Sequence, residues 1–162
     1  YRNRKIVPLK ALDFVSMQVE LRAEEGEDLA GLQEVRFASG QWLWVDGIPV
    51  SGQTPESLSR ALSGIEVSEF VSDSPDSLEP YGLDNPVVRA VIGGASGHEM
   101  TLLIGDEGPP QEGLVEQQVP RRYLKIEGEP SVYLFDHKAM TWIHHLIREG
   151  NRKDAEGAGG TP

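Results

Sequence analysis

The chain has 162 residues and no cysteine. Disulfides and thiolate metal sites are therefore excluded, so the fold must be held by burial and hydrogen bonding. Long apolar runs are missing too. No stretch approaches the roughly 20 residues a membrane-spanning helix needs, and no signal-peptide pattern is present. Hydrophobic residues make up 38% of the chain and aromatics 7%, and this modest apolar supply is gathered into short runs. Positive charge is scarce in the middle. Residues 23–120 carry three basic and eighteen acidic side chains (−15), against five and two in residues 1–22 (+3) and seven and six in residues 121–162 (+1). A body this acidic repels phosphate backbones, which argues against nucleic acid as a partner. Its plainest use is solubility. The early bases Arg2, Arg4, Lys5 and Lys10 suit either anionic headgroups or a solvated arm.

What is present reads as short strands punctuated by Gly, Pro and Asp. Val15, Met17, Val19 and Leu21 alternate with Ser16, Gln18 and Glu20, predicting a half-buried strand. Gln33–Phe37 and Gln41–Val45 flank Ser39-Gly40 and predict a hairpin with Phe37 opposite Trp42 and Val35 opposite Trp44. Thr54 (as N-cap), Pro55, Glu56 and the spacing of Leu58, Ala61, Leu62 and Ile65 predict a helix that stops at Gly64. Ile65, Val67, Phe70 and Val71 suggest a further strand. Ser72–Pro80 is a Pro-punctuated connector with one helical turn at Asp76–Glu79. Near the end, Asp136 is placed to cap a helix with Ala139, Met140, Ile143, Leu146 and Ile147 as its stripe. From Gly150 the polar, Gly-rich sequence reads as a mobile tail.

The central stretch runs from Tyr81 to Asp136. Gly82 suits a turn with positive φ, and Pro86 suits the start of a strand. Val88, Ala90 and Ile92 share a face, as do Met100, Leu102 and Ile104; Leu124 and Ile126 follow, then Val132–Phe135. The order Tyr81-Gly82-Leu83-Asp84-x-Pro86, a strand, Thr101-Leu-Leu-Ile-Gly-Asp106, a Gly/Pro loop, Tyr123-Leu-Lys-Ile126 and Val132-Tyr-Leu-Phe-Asp136 resembles the domain-of-unknown-function (DUF) 4340 family. The resemblance is firmest over residues 81–136 and extends more weakly back to about Leu12. It implies an extracytoplasmic domain behind an N-terminal membrane anchor, in an ABC-transport or gliding-type neighbourhood. The family has no established catalytic residues, so none are carried over.

The residues offer little catalytic chemistry of their own. His137 and His144 would stand about 10 Å apart along a helix by its rise, too far to share an ion. His144 and His145 diverge, and His98 is alone. Gly93–Gly97 lacks the spacing of a nucleophile elbow and the helix of a phosphate loop. Asp106, Glu107 and Glu112 lack calcium-loop spacing and are interrupted by Pro109-Pro110. The segment Glu107–Pro120 reads as the longest irregular loop of the domain. Its Glu107, Pro109, Pro110, Glu112, Leu114 and Val115 are the candidate partner-binding residues.

These observations predict an α+β fold: an antiparallel β-sheet with two helices, in which hairpin-then-helix occurs twice (residues 33–62 and 121–147) as a faint duplication. Residues 1–11 form an extended basic lead-in, residues 12–148 one domain, and residues 149–162 a flexible tail. The expected function is a non-catalytic extracytoplasmic binding or assembly module with protein partners and no cofactor. Its membrane contact would come through an anchor outside these residues. The alternatives are a structural accessory subunit of a membrane complex, and a hydrolase or carbohydrate-binding enzyme using Trp42 or Trp44 with a carboxylate pair.

Overall fold

The computed structural model describes residues 13–23, 28–65, 67–72, 76–95, 97–111, 119–136 and 138–159. Eight strands form one antiparallel sheet: β1 (Phe14–Leu21), β2 (Gly31–Ala38), β3 (Gln41–Trp44), β4 (Val67–Ser72), β5 (Val88–Gly94), β6 (Glu99–Gln111), β7 (Val119–Ile126) and β8 (Val132–Asp136). Two helices complete the fold, α1 (Thr54–Ser63) and α2 (Lys138–Gly159). The sheet order is β3-β2-β1-β5-β6-β7-β8-β4. The α+β architecture read from the sequence is therefore present, as one wide sheet. β1–β3 and β5–β8 are meanders running outward from the central β1–β5 pair, each followed by a helix, and β4 closes the far edge beside β8.

Both helices pack on one face of the sheet, over Met17, Val19, Val35, Val88, Ala90, Ile92, Leu102, Ile104 and Leu124. Leu58 and Leu62 from α1 and Met140, Ile143, Leu146 and Ile147 from α2 close this core. Alternation places these residues, because successive strand side chains point to opposite faces. One expectation changes. A register shift between Phe14 and Ser16 inserts an extra residue, so Phe14 joins Met17 in the core while Val15 turns to the opposite face. A β-bulge of this kind breaks the strict period of two.

The β2–β3 hairpin has the predicted register, Phe37 with Trp42 and Val35 with Trp44. Ser39 and Gly40 both hold positive φ, 54° and 80°, the signature of the tight turn that matches strand twist. The Phe37 and Trp42 rings meet edge to face at 5.4 Å, while Trp44 is buried under the Lys153 ammonium, 5.4 Å from the ring centroid.

The helix boundaries depart from the sequence reading. Gln53, not Thr54, is the N-cap of α1. The Thr54 hydroxyl instead donates to Glu149 Oε1 at 2.8 Å, tying α1 to α2. Asp136 belongs to β8, and residue 137, where the cap of α2 would fall, lies outside the described residues. The largest correction is the tail, since α2 continues through Gly159. Gly150 does not stop it. A Cβ there would lie 2.2 Å from the Gln33 side chain, so glycine lets the helix cross close over β2. Beyond it, Gln33 Nε2 donates to Asn151 Oδ1 and Asp154 Oδ2, each at 3.0 Å, and Asn151 Nδ2 donates to the Ala30 carbonyl at 2.8 Å. Lys153 reaches Asp46 at 2.8 Å and Asp154 at 3.1 Å.

This polar cluster sets a pH dependence. The Lys153 hydrogen bond holds the Asp46 carboxyl below its ordinary value. The Gln33 amide and then Lys153 do the same for Asp154, and Asp46 raises Lys153. Depressed carboxylates contribute stability above their unfolded pKa and lose it as pH falls through the folded value; a raised lysine loses its contribution only in strong alkali. Urea midpoints for Lys153→Met should therefore lie below those of the unaltered chain between about pH 5 and pH 10, the window bounded by ordinary carboxylate and lysine values. The gap should close on acidification below about pH 3, and an unchanged gap there would remove the cluster as its cause.

Candidate partner-binding arm

β6 is the longest strand because it outruns its neighbour. β5 pairs with it from Gly93↔Glu99 to Val88↔Ile104 and no further. From Gly105 to Gln111 β6 continues against β7 alone, through Glu107↔Arg122, Gly108↔Arg121 and Gln111↔Val119. Register shifts between Ile104 and Glu107 and between Gly108 and Gln111 bend this extension. The result is a two-stranded arm whose β6 edge is not paired to a further strand among the described residues.

The segment before β5 builds the base of the arm. A 3-10 turn at Glu79–Tyr81 is followed by Gly82 at φ 69°. It delivers Tyr81 and Leu83 onto the sheet face opposite the helices. Tyr81 packs on Tyr123 with ring centroids 4.9 Å apart. Leu83, Val132 and Leu134 are buried there, outside the main core. Two glycines make the fit possible. A Cβ on Gly105 would lie 2.2 Å from the Tyr81 carbonyl oxygen, and one on Gly82 would lie 2.4 Å from the Asp106 carboxylate. Arg122 Nη1 donates to the Gly105 carbonyl at 2.9 Å, securing the bulge from β7. The segment is tied to the end of β1 by Arg22, whose N–H donates to the Val87 carbonyl at 2.8 Å and whose guanidinium reaches the Asn85 carbonyl at 3.1 Å. The residues that carry the Tyr-Gly-Leu-Asp and Ile-Gly-Asp motifs thus serve packing: each glycine admits the other motif.

The candidate residues fall as follows. Glu107 is exposed on the arm. Pro109 and Pro110 lie within β6, where their missing N–H groups suit a strand with an open edge. Glu112, Leu114 and Val115 lie outside the described residues. The loop expected over Glu107–Pro120 is strand at both of its ends, up to Gln111 and from Val119, and residues 112–118 lie outside the described residues. Sequence reasoning missed this because Gly108, Pro109 and Pro110 are poor strand formers, and a two-stranded arm with one open side tolerates them. It also missed Tyr81 and Tyr123 as the base of the arm, although the alternation of Tyr123 with Leu124 and Ile126 was visible.

Among the described residues, no group of three or more His, Asp or Glu side chains is gathered to hold a metal ion. His145 stacks beside Trp142, ring centroids 5.5 Å apart, and His144 lies on the same helix. No described helix is long and apolar enough to cross a membrane.

Comparison with curated proteins and with solved structures returns no significant match. The model of one family, described as "Domain of unknown function (DUF4340)", matches residues 45–145, which takes in α1, the base of the arm and the first third of α2 but not β1–β3. The matched region covers more than half of the 162 residues, and the chain belongs to the DUF4340 family.

Proposed function

We propose that this chain is a non-catalytic binding module, held at an extracytoplasmic membrane face, which engages a protein partner along the open edge of the β6–β7 arm. The observation that carries the reading is the run of β6 past its last partner on β5. Strand edges carry unpaired N–H and C=O groups, and an extended partner segment satisfies them by adding a strand. Prolines at 109 and 110 limit that pairing to the stretch nearer the base, Gly105–Gly108, where Glu107 is exposed. The partner's contacting segment is therefore expected to be short, extended and carrying a basic side chain.

The test is affinity capture of the tagged full-length protein from gently solubilised native membranes, beside a variant whose residues 109–117 are replaced by Asn-Gly. The unaltered protein should recover one defined membrane partner in stoichiometric amount. The shortened arm should lose at least 10-fold of that recovery while its melting temperature stays within a few degrees. Equal recovery by both proteins would move the contact away from the arm. Recovery of the protein alone would remove the membrane-partner reading.

A further inference from the structure

The turn that leaves β3 carries Asp46 followed by Gly47 at its tip. Its backbone is closed on itself: the Gly47 N–H donates to the Trp44 carbonyl and the Trp44 N–H to the Ile48 carbonyl, each at 2.8 Å. Gly47 holds φ 89°, and a Cβ there would meet nothing within 4 Å. An aspartate before glycine is the pair in which the side-chain carboxyl is least hindered from the next amide nitrogen, since glycine presents no Cβ. The groups that would react are nevertheless all engaged. Asp46 Oδ2 lies 2.8 Å from Lys153 Nζ, and Oδ1 accepts the Ile48 N–H at 3.2 Å. Lys153 comes from the last turns of α2, where Asp154 also faces it at 3.1 Å. Among the described residues, α2 adds no member to the hydrophobic core beyond Ile147. Its end is held by polar contacts, through Asn151 and Asp154 to Gln33 and through Asn151 to the Ala30 carbonyl.

We propose that Asp46-Gly47 is a site of spontaneous isoaspartate formation, guarded by the docked end of α2. In the reaction the Gly47 backbone nitrogen attacks Asp46 Cγ. One carboxyl oxygen leaves as water with the amide and carboxyl protons, and a five-membered succinimide closes. Water then adds to the former main-chain carbonyl of residue 46 and breaks its bond to the Gly47 nitrogen, so the chain runs on through the side-chain carbon. One water is lost and one is gained, and no co-reactant is needed. The leaving oxygen must be protonated, whereas Lys153 favours the ionised carboxylate. The Gly47 N–H is meanwhile turned onto the Trp44 carbonyl. Ring closure therefore waits for the end of α2 to open. Segments with few apolar contacts open locally at the lowest free energy, so the guard slows the reaction without stopping it. Redocking cannot undo the product. The extra backbone carbon separates Trp44 from Ile48 and carries the carboxylate away from Lys153, so each event leaves the end of α2 released.

The test is prolonged incubation of the intact chain, Lys153→Met and Lys153→Arg in heavy-oxygen water at neutral pH, followed by peptide mapping of residue 46. The intact chain should accumulate isoaspartate there, carrying one heavy oxygen from the ring opening. Lys153→Met should accumulate it roughly 3- to 5-fold faster, the range that the loss of an exposed ion pair carries, with its helical circular dichroism retained. Lys153→Arg keeps the ion pair and should match the intact chain. Equal rates in all three proteins, or no isoaspartate at residue 46 in any of them, would overturn the proposal. A second measurement reads the consequence. The modified fraction, separated by chromatography, should be cut by trypsin after Arg152 and Lys153 sooner than the unmodified fraction. Cleavage at the same rate would overturn the release of α2.

Discussion

Replacing Gly105 by valine should lower the melting temperature by about 10 °C, although valine is a far better strand residue than glycine. Propensity predicts stabilisation, and packing predicts the reverse. A Cβ at position 105 falls 2.2 Å from the Tyr81 carbonyl oxygen and 3.1 Å from a Leu83 methyl. The first contact is backbone, so it cannot be relieved by a rotamer change. The segment must lift, which exposes Leu83, Val132 and Leu134 and separates Tyr81 from Tyr123. Overpacking costs typically 1–3 kcal/mol, and partial exposure of three aliphatic side chains adds to it, giving about 4 kcal/mol in all. At 2–4 °C per kcal/mol for a chain of this size, the expected fall is near 10 °C, with the near-ultraviolet circular dichroism of the tyrosine pair reduced. An unchanged or raised melting temperature would mean that the motif glycine is not there for close approach.

Ending the chain at Arg148 should cost about 3 kcal/mol, a loss that a solvated tail would not produce. Gln33 is 6% exposed, and its amide donates to Asn151 and Asp154 alone among its described side-chain bonds. Truncation leaves that amide buried without acceptors, a cost of about 1–3 kcal/mol. It also removes the Asn151 bond to the Ala30 carbonyl, worth about 1 kcal/mol, and uncovers Trp44. Urea denaturation of the truncated chain, with its midpoint compared at equal slope, measures the sum. A midpoint within error of the full chain would return residues 149–159 to the role of an arm.

The contrast between these elements shows what was legible. Strand periodicity placed the core faces of β1, β5, β6 and β7 except at Val15, because alternation survives where the ladder is regular and fails where a bulge adds a residue. The β2–β3 register was readable from Ser39-Gly40, since a two-residue turn leaves only one pairing. The extent of α2 was not readable. Gly150 and the polar residues after it carry no apolar stripe, and their helix is fixed by Gln33 and Ala30, which lie more than 110 positions earlier. Thr54 misled for a related reason: a hydroxyl suited to capping is equally suited to a carboxylate on another helix. The arm was half visible. Its residues were singled out as a candidate contact, but as a loop, because Gly-Pro-Pro contradicts strand propensity and only the pairing with β7 overrides it.

The two outermost strands, β3 and β4, are neighbours in the chain and stand at opposite ends of the sheet. During synthesis this imposes a wait. β3 finds its partner within a few residues of emerging, whereas β4 must remain unpaired until β8 appears, with Val67 meeting Phe135 and Ser72 meeting Val132. Some 60 residues of chain must be made before that edge can close, roughly 3–12 s at usual elongation rates. Pairings of such sequence separation are slow to form, so β4 is, among the described strands, the one that waits longest for its first partner, within reach of chaperones and other nascent chains.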